Sequence, residues 1–148
     1  MPPKIRQTTA ALCALLALTT PLHAGTALVA VDAAFAPVAA AIAPLFAAST
    51  GHEVRLSVGG IEFLDQRLRA GAAVDVLLAA DPFLPTRLAA LGLGLSETRL
   101  AYAASNDLTR EAILLRPGTD NPAARAFLDF LLTPEVWDVI VAHGFGAH

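Results

Sequence analysis

The sequence predicts an α/β fold, a three-layer, mostly parallel sheet with helices on both faces. Three observations predict it. Short β-rich runs alternate with helix-length apolar stripes in the order strand, helix, strand, helix, strand, helix. Short connections between such elements favour right-handed crossovers and a sheet covered on both sides. The third β-rich run, Val74 to Ala80 (VDVLLAA), is mostly apolar, as a central strand buried on both faces must be. Finally, 55% hydrophobic against 16% charged residues in a 148-residue chain supports one core and excludes intrinsic disorder.

Thr26 to Val31 (TALVAV) is a run of strand length. Phe35, Val38, Ala39, Ile42 and Phe46 follow at the spacing of one helix face, ending near Thr50-Gly51. Glu53 to Val58 (EVRLSV) alternates strictly, and Gly59-Gly60 stops it. Ile61, Leu64 and Leu68 form a second helical stripe, with Asp65 and Arg69 four apart on its outer side. After the central strand, Asp81-Pro82 is a cap-then-proline helix start, and that helix stops at Gly92. Arg99 to Ser105 and Ala112 to Leu115 are further strand candidates. Asn121-Pro122 and Thr133-Pro134 repeat the helix-start signal. They open helices carrying Phe127, Leu128, Leu131 and then Val136, Trp137, Ile140.

Residues 1–24 stand apart from the fold. Lys4 and Arg6 precede an apolar run from Ala10 to Leu18, Pro21 breaks it, and Leu22-His23-Ala24 ends on a small residue. This is the layout of a secretory signal peptide, with a run too short to span a bilayer. The expected domains are therefore a signal peptide over 1–24 and a single α/β lobe over 25–148. The only cysteine, Cys13, falls in the leader, and an exported chain without disulfides points to a periplasm. Without Lys4 and Arg6 the chain keeps eight Arg against thirteen Asp and Glu, a balance of -5. That excludes a basic nucleic-acid binder, and no attraction to anionic lipid follows.

In open parallel sheets, ligands sit at the carboxyl ends of the strands against helix N-termini. Two turns qualify: Asp32-Ala33-Ala34 after the first strand and Gly59-Gly60-Ile61 after the second. Backbone N–H groups of Ala33, Ala34, Phe35, Gly59, Gly60 and Ile61 are the candidate anion donors. Asp32 would repel an anion there, and reads as a solvated turn or helix-capping residue. Asp75 and Asp81 are neighbouring carboxylates without a nucleophile or base pattern, so no enzyme chemistry is expected. His52, His143 and His148 match no metal-ligand spacing, and no metal or cofactor is expected. Phe127, Phe130 and Trp137 read as core or helix contacts, while Tyr102 either lines a cleft or packs.

The stretches ALVAVDAAF, LFAASTGHEVRLSVGG, AGAAVDVLLAADPFLPTRLAALG, RLAYAASN and NPAARAFLDFLLTPEVWDVIVAHGF resemble the periplasmic molybdate-binding proteins of ABC transporters. The most specific pieces are G-A-x-x-D-V-x-x-x-A-D from Gly71 to Asp81 and N-P-x-A-x-x-F-x-x-F-L-x-x-P-E from Asn121 to Glu135. The resemblance implies a type II periplasmic-binding fold, in which two lobes joined by crossing strands clamp an oxyanion such as molybdate or tungstate. Two lobes of ordinary domain size need about twice this length. Here the crossing strand at Arg99 to Ser105 returns at Ala112 to Leu115 after only Asn106 to Glu111. The chain therefore corresponds to one lobe, built from 25–105 plus the returning strand and C-terminal helices of 112–148.

The resemblance also implies a Ser at the first turn, where this chain has Ala34. It implies a Ser-containing second turn, where this chain has Gly59-Gly60-Ile61. Ser57 keeps its place but lies within a strand. Each lost donor to a charged partner is worth about 1.5–3 kcal/mol, so weak oxyanion binding is expected, with an ABC permease as the implied partner. The alternative is a non-binding remnant or interaction module. Its exposed lobe face, around Ile61, Phe63 and Tyr102, would then support a homodimer or contact with a permease.

Overall fold

The computed structural model describes residues 24–146; residues 1–23 of the proposed leader, with Lys4, Arg6 and Cys13, lie outside the described residues, as does His148. Five strands form one sheet: β1 (Thr26–Asp32), β2 (Glu53–Gly59), β3 (Val76–Leu78), β4 (Leu100–Ser105) and β5 (Leu108–Leu114), in the order β2-β1-β3-β5-β4. β1 pairs in parallel with β2 and β3, while β5 runs antiparallel to both β3 and β4. Four of the five strands thus point the same way.

Helices cover both faces. α1 (Ala36–Thr50), α4 (Pro122–Phe130) and α5 (Pro134–Ala142) pack Ile42, Phe46, Phe127, Val136 and Ile140 on Ala27, Val29, Val31, Val76 and Leu78. On the other face, α2 (Ile61–Arg69) and α3 (Phe83–Ala90) pack Leu64, Leu68, Leu84 and Leu88 on Ala30, Leu77 and Ile113. Adjacent strand residues point to opposite faces, so β1 and β3 feed both cores at once, and Ala27 to Val31 and Val76 to Leu78 are apolar throughout. No helix among the described residues is long and apolar enough to cross a membrane.

Local chemistry explains the element ends. α1 stops at Gly51, which takes φ 74 in the left-handed region, where a Cβ is penalised. The Asn121 side chain accepts the Ala123 N–H at 3.0 Å and caps α4, while its Nδ2 donates to Thr26 O and Asp75 Oδ2. Asp81 Oδ1 accepts the Phe83 N–H at 2.8 Å, so the expected bond to the helix start is made, but from two residues before α3, with Pro82 at the N-cap instead of the first helical position. Thr133 precedes Pro134 as expected, but its hydroxyl donates to Phe130 O rather than capping α5.

Four expectations are corrected. The link between the two crossing strands is a two-residue turn, Asn106-Asp107, because β5 starts at Leu108 and not at Ala112. Both turn residues have positive φ, 48° and 63°, the signature of a tight hairpin whose twist matches its strands. The central strand is only Val76–Leu78; at Asp75 the backbone still bonds Leu28 O and Leu115 N, while the Leu28 N–H goes to the Asp75 carboxylate at 2.8 Å. Asp65 is not on an outer face. It is buried, held by Arg69 at 3.2 Å and by Arg87 of α3 at 2.8 Å. Trp137 is half exposed rather than a core residue.

Candidate functional site

The register places Asp32 opposite Gly59, so the two expected corners lie side by side at the carboxyl ends of β1 and β2. They differ in what their N–H groups do. At the first corner all three are engaged internally. Ala33 N donates to Gly59 O at 3.1 Å, Ala34 N to Asp32 Oδ1 at 3.3 Å and Phe35 N to Asp32 O at 3.0 Å. Phe35 itself is fully buried.

The second corner is open. Gly60 is the N-cap of α2 in extended conformation, with no side-chain cap. A Cβ built on Gly60 meets nothing within 4 Å. The first N–H groups of any α-helix lack intrahelical acceptors, so the start of α2 offers the donors and the positive end of its dipole. Ile61, Glu62 and Asp65 of α2 and Phe83, Leu84 and Arg87 of α3 line a cleft of about 140 Å³ beside it. The Glu62 carboxylate stands in the first turn of α2 and weakens the attraction for an anion.

Between the corners and the β4–β5 hairpin sits a cluster that sequence reasoning missed. Arg110 on β5 is buried, and its Nη1 donates to Asp32 Oδ2 at 2.6 Å. Its guanidinium lies over the rings of Phe35 and Phe145, 5.7 and 4.9 Å from their centroids. Tyr102 meets the Phe35 ring edge-on at 4.9 Å and donates its hydroxyl to Ala79 O at 3.0 Å. Burial pushes the Tyr102 phenol well above its ordinary value, with the nearby Arg110 charge opposing that shift. Asp32 is thus neither solvated nor only a cap, and Tyr102 is buried, packing on Phe35 while it also borders a hollow with Leu131, Pro134 and Trp137. The missed signal was parity: with β5 starting at Leu108, Arg110 shares a face with the core residues Ala112 and Leu114.

The remaining polar groups have structural roles. Asp75 accepts from Leu28 N and Asn121 Nδ2, and Asp81 accepts from Phe83 N. Ser57 Oγ accepts from Arg67 at 3.0 Å. His52 Nδ1 accepts the Gly25 N–H at 3.0 Å and its ring stacks on Phe46. His143 lies on the exposed end of α5, its Nδ1 2.7 Å from Val139 O.

Comparisons with known proteins agree with this architecture. The sequence profile of bacterial extracellular solute-binding proteins matches residues 27–109. The molybdate-binding protein ModA of Rhodobacter capsulatus is 30% identical over 103 residues, 63% of this chain and 40% of that protein. Its namesake from Azotobacter vinelandii is 44% identical over 39 residues, 26% of this chain and 16% of that protein. The chain thus spans less than half the length of these curated relatives.

Among solved structures, the Azotobacter vinelandii periplasmic molybdate-binding protein superposes with TM-score 0.76 at 14% identity, covering 82% of this chain and 99% of that one. The substrate-binding domain of a putative molybdenum ABC transporter from Clostridium difficile superposes with TM-score 0.78 at 10% identity, covering 84% and 100%. At those identities the likeness is one of fold. With more than half of the chain under the family profile, and the fold to match, this chain belongs to the bacterial extracellular solute-binding proteins.

Proposed function

We propose that the chain is a single oxyanion-binding lobe of the molybdate-binding type, covering 25–148, that holds a molybdate- or tungstate-like anion weakly. Its family is one of solute-binding proteins rather than enzymes. The observation that carries the proposal is the open second corner, where uncapped Gly60 leads into α2 beside free space. Backbone donors there would face the anion without the hydroxyls expected at Ala34 and in the Gly59-Gly60-Ile61 turn. Export through the leader and delivery to an ABC permease belong to the same proposal, drawn from the relatives named above.

The test is a thermal-shift titration of the exported chain with molybdate, tungstate and sulfate at constant ionic strength. A saturable rise in melting temperature at anion concentrations on the order of millimolar is expected. Gly60 sits at φ -71°, compatible with proline, so Gly60→Pro removes one N–H without forcing the backbone. Loss of one charge-assisted bond should weaken binding about 10- to 100-fold. A flat response of the wild-type chain would refute the proposal.

A flat response would favour the second reading, a non-binding lobe that pairs with a second copy through the same end. The exposed apolar rim of Val58, Ile61, Phe63, Phe83 and Leu108 supports that reading, and sizing by light scattering checks it. Tyr102, being buried, takes no part in that rim.

A further inference from the structure

The first corner already contains an anion. The Asp32 carboxylate takes the Ala34 N–H near the start of the fifteen-residue α1 on one oxygen, at 3.3 Å. Its other oxygen takes Arg110 Nη1, at 2.6 Å. Arg110 is only 5% exposed, and its buried Nε has no hydrogen-bond partner among the described residues. The rings of Phe35 and Phe145 wall the guanidinium, so it is shielded from solvent screening. A buried guanidinium with an unpartnered Nε, a turn N–H and aromatic walls are the components of a built anion site.

We propose that Asp32 is the tethered occupant of a small-anion site formed by Arg110 and the Ala34 N–H, and that its carboxylate keeps this corner closed to free anions. This builds on the reading of the strand ends as anion-binding ground but assigns the two corners different occupants. A free anion is confined to the Gly60–Ile61 corner, while the first corner carries its own. The free ligand that fits the vacated space is a carboxylate-sized monoanion, formate being the smallest.

The experiment is chemical rescue. Asp32→Ala removes the carboxylate and leaves the Arg110 charge buried and unpaired, so its melting temperature should fall by several degrees. Sodium formate, compared with sodium chloride at equal ionic strength, should then raise it by several degrees and saturate. The wild-type chain should show no formate-specific shift. The double variant Asp32→Ala with Arg110→Met has no stranded charge. It should be more stable than Asp32→Ala alone and indifferent to formate.

An Asp32→Ala chain that gains nothing from formate over chloride overturns the proposal, as does a double variant that responds equally. Should Asp32→Ala not fold in dilute buffer, its refolding yield from urea in formate against chloride gives the same reading: a higher yield in formate supports the proposal and equal yields overturn it. Molybdate titration of the wild-type chain reports on the second corner alone. Its failure and the failure of formate rescue are therefore distinguishable.

Discussion

Tyr102 is the chain's single tyrosine, which makes its proton the cleanest local probe of the strand-end cluster. The unfolded phenol titrates at its ordinary value of 10.0, whereas burial lifts the folded one far above that. Above pH 10 the unfolded state releases a proton that the folded state keeps, so the folded state loses stability as pH rises. The slope is about 1.4 kcal/mol per pH unit. Below that point the contribution is constant and fully present. Tyr102→Phe should remove this alkaline slope, while costing about 1 kcal/mol at neutral pH because the Ala79 carbonyl loses its donor. Urea midpoints of both proteins at neutral and alkaline pH check it; parallel loss in the two would show that another group titrates.

Among the elements, the β4–β5 hairpin sets where Arg110 falls, and its turn holds the two described non-glycine residues with positive φ. Asn106 and Asp107 both occupy the left-handed region, which Asn tolerates well and Asp less so, and Gly prefers. Asp107→Gly should therefore stabilise the fold by about 0.5–1 kcal/mol, seen as a higher urea midpoint with an unchanged slope. A loss of stability would mean that the Asp107 side chain does more than accept a strained backbone.

This turn also marks where the sequence was hard to read. The helices were legible because Gly51, Asp81-Pro82 and Asn121-Pro122 carry local end signals, and their apolar stripes survive intact in the core. Leu108, Thr109, Arg110 and Glu111 have no such pattern: a charged residue on the inward face reads as loop. Arg110 is inward only because Asp32, 78 positions earlier in the chain, supplies its counter-charge. A pairing that distant leaves no trace in local spacing. The two glycine- and alanine-lined corners were legible as helix starts. Which of their N–H groups stay open was not, since it depends on the β1–β2 register that sets Ala33 N on Gly59 O.

At the scale of the whole molecule, the sheet divides the interior into two cores that share no helix. Ile42 belongs to the α1, α4 and α5 side, and Ile113 to the α2 and α3 side; both are fully buried. Each Ile→Val change deletes one methylene and should cost about 0.5–1.5 kcal/mol. Because the two side chains fill different cores, the double variant should lose the sum of the single losses to within about 0.5 kcal/mol. Unfolding should nevertheless remain one transition. β1 and β3 send side chains into both cores, so neither can melt while the other keeps its wall. Coincident urea curves from Trp137 fluorescence and backbone circular dichroism, in all three variants, check the two expectations together. A coupling above about 0.5 kcal/mol would show that the sheet transmits packing strain from one face to the other. Two separate transitions would show that one layer of helices is a dispensable cover, and the strand-end corners of β1 and β2 would then no longer be held by the lobe as a whole.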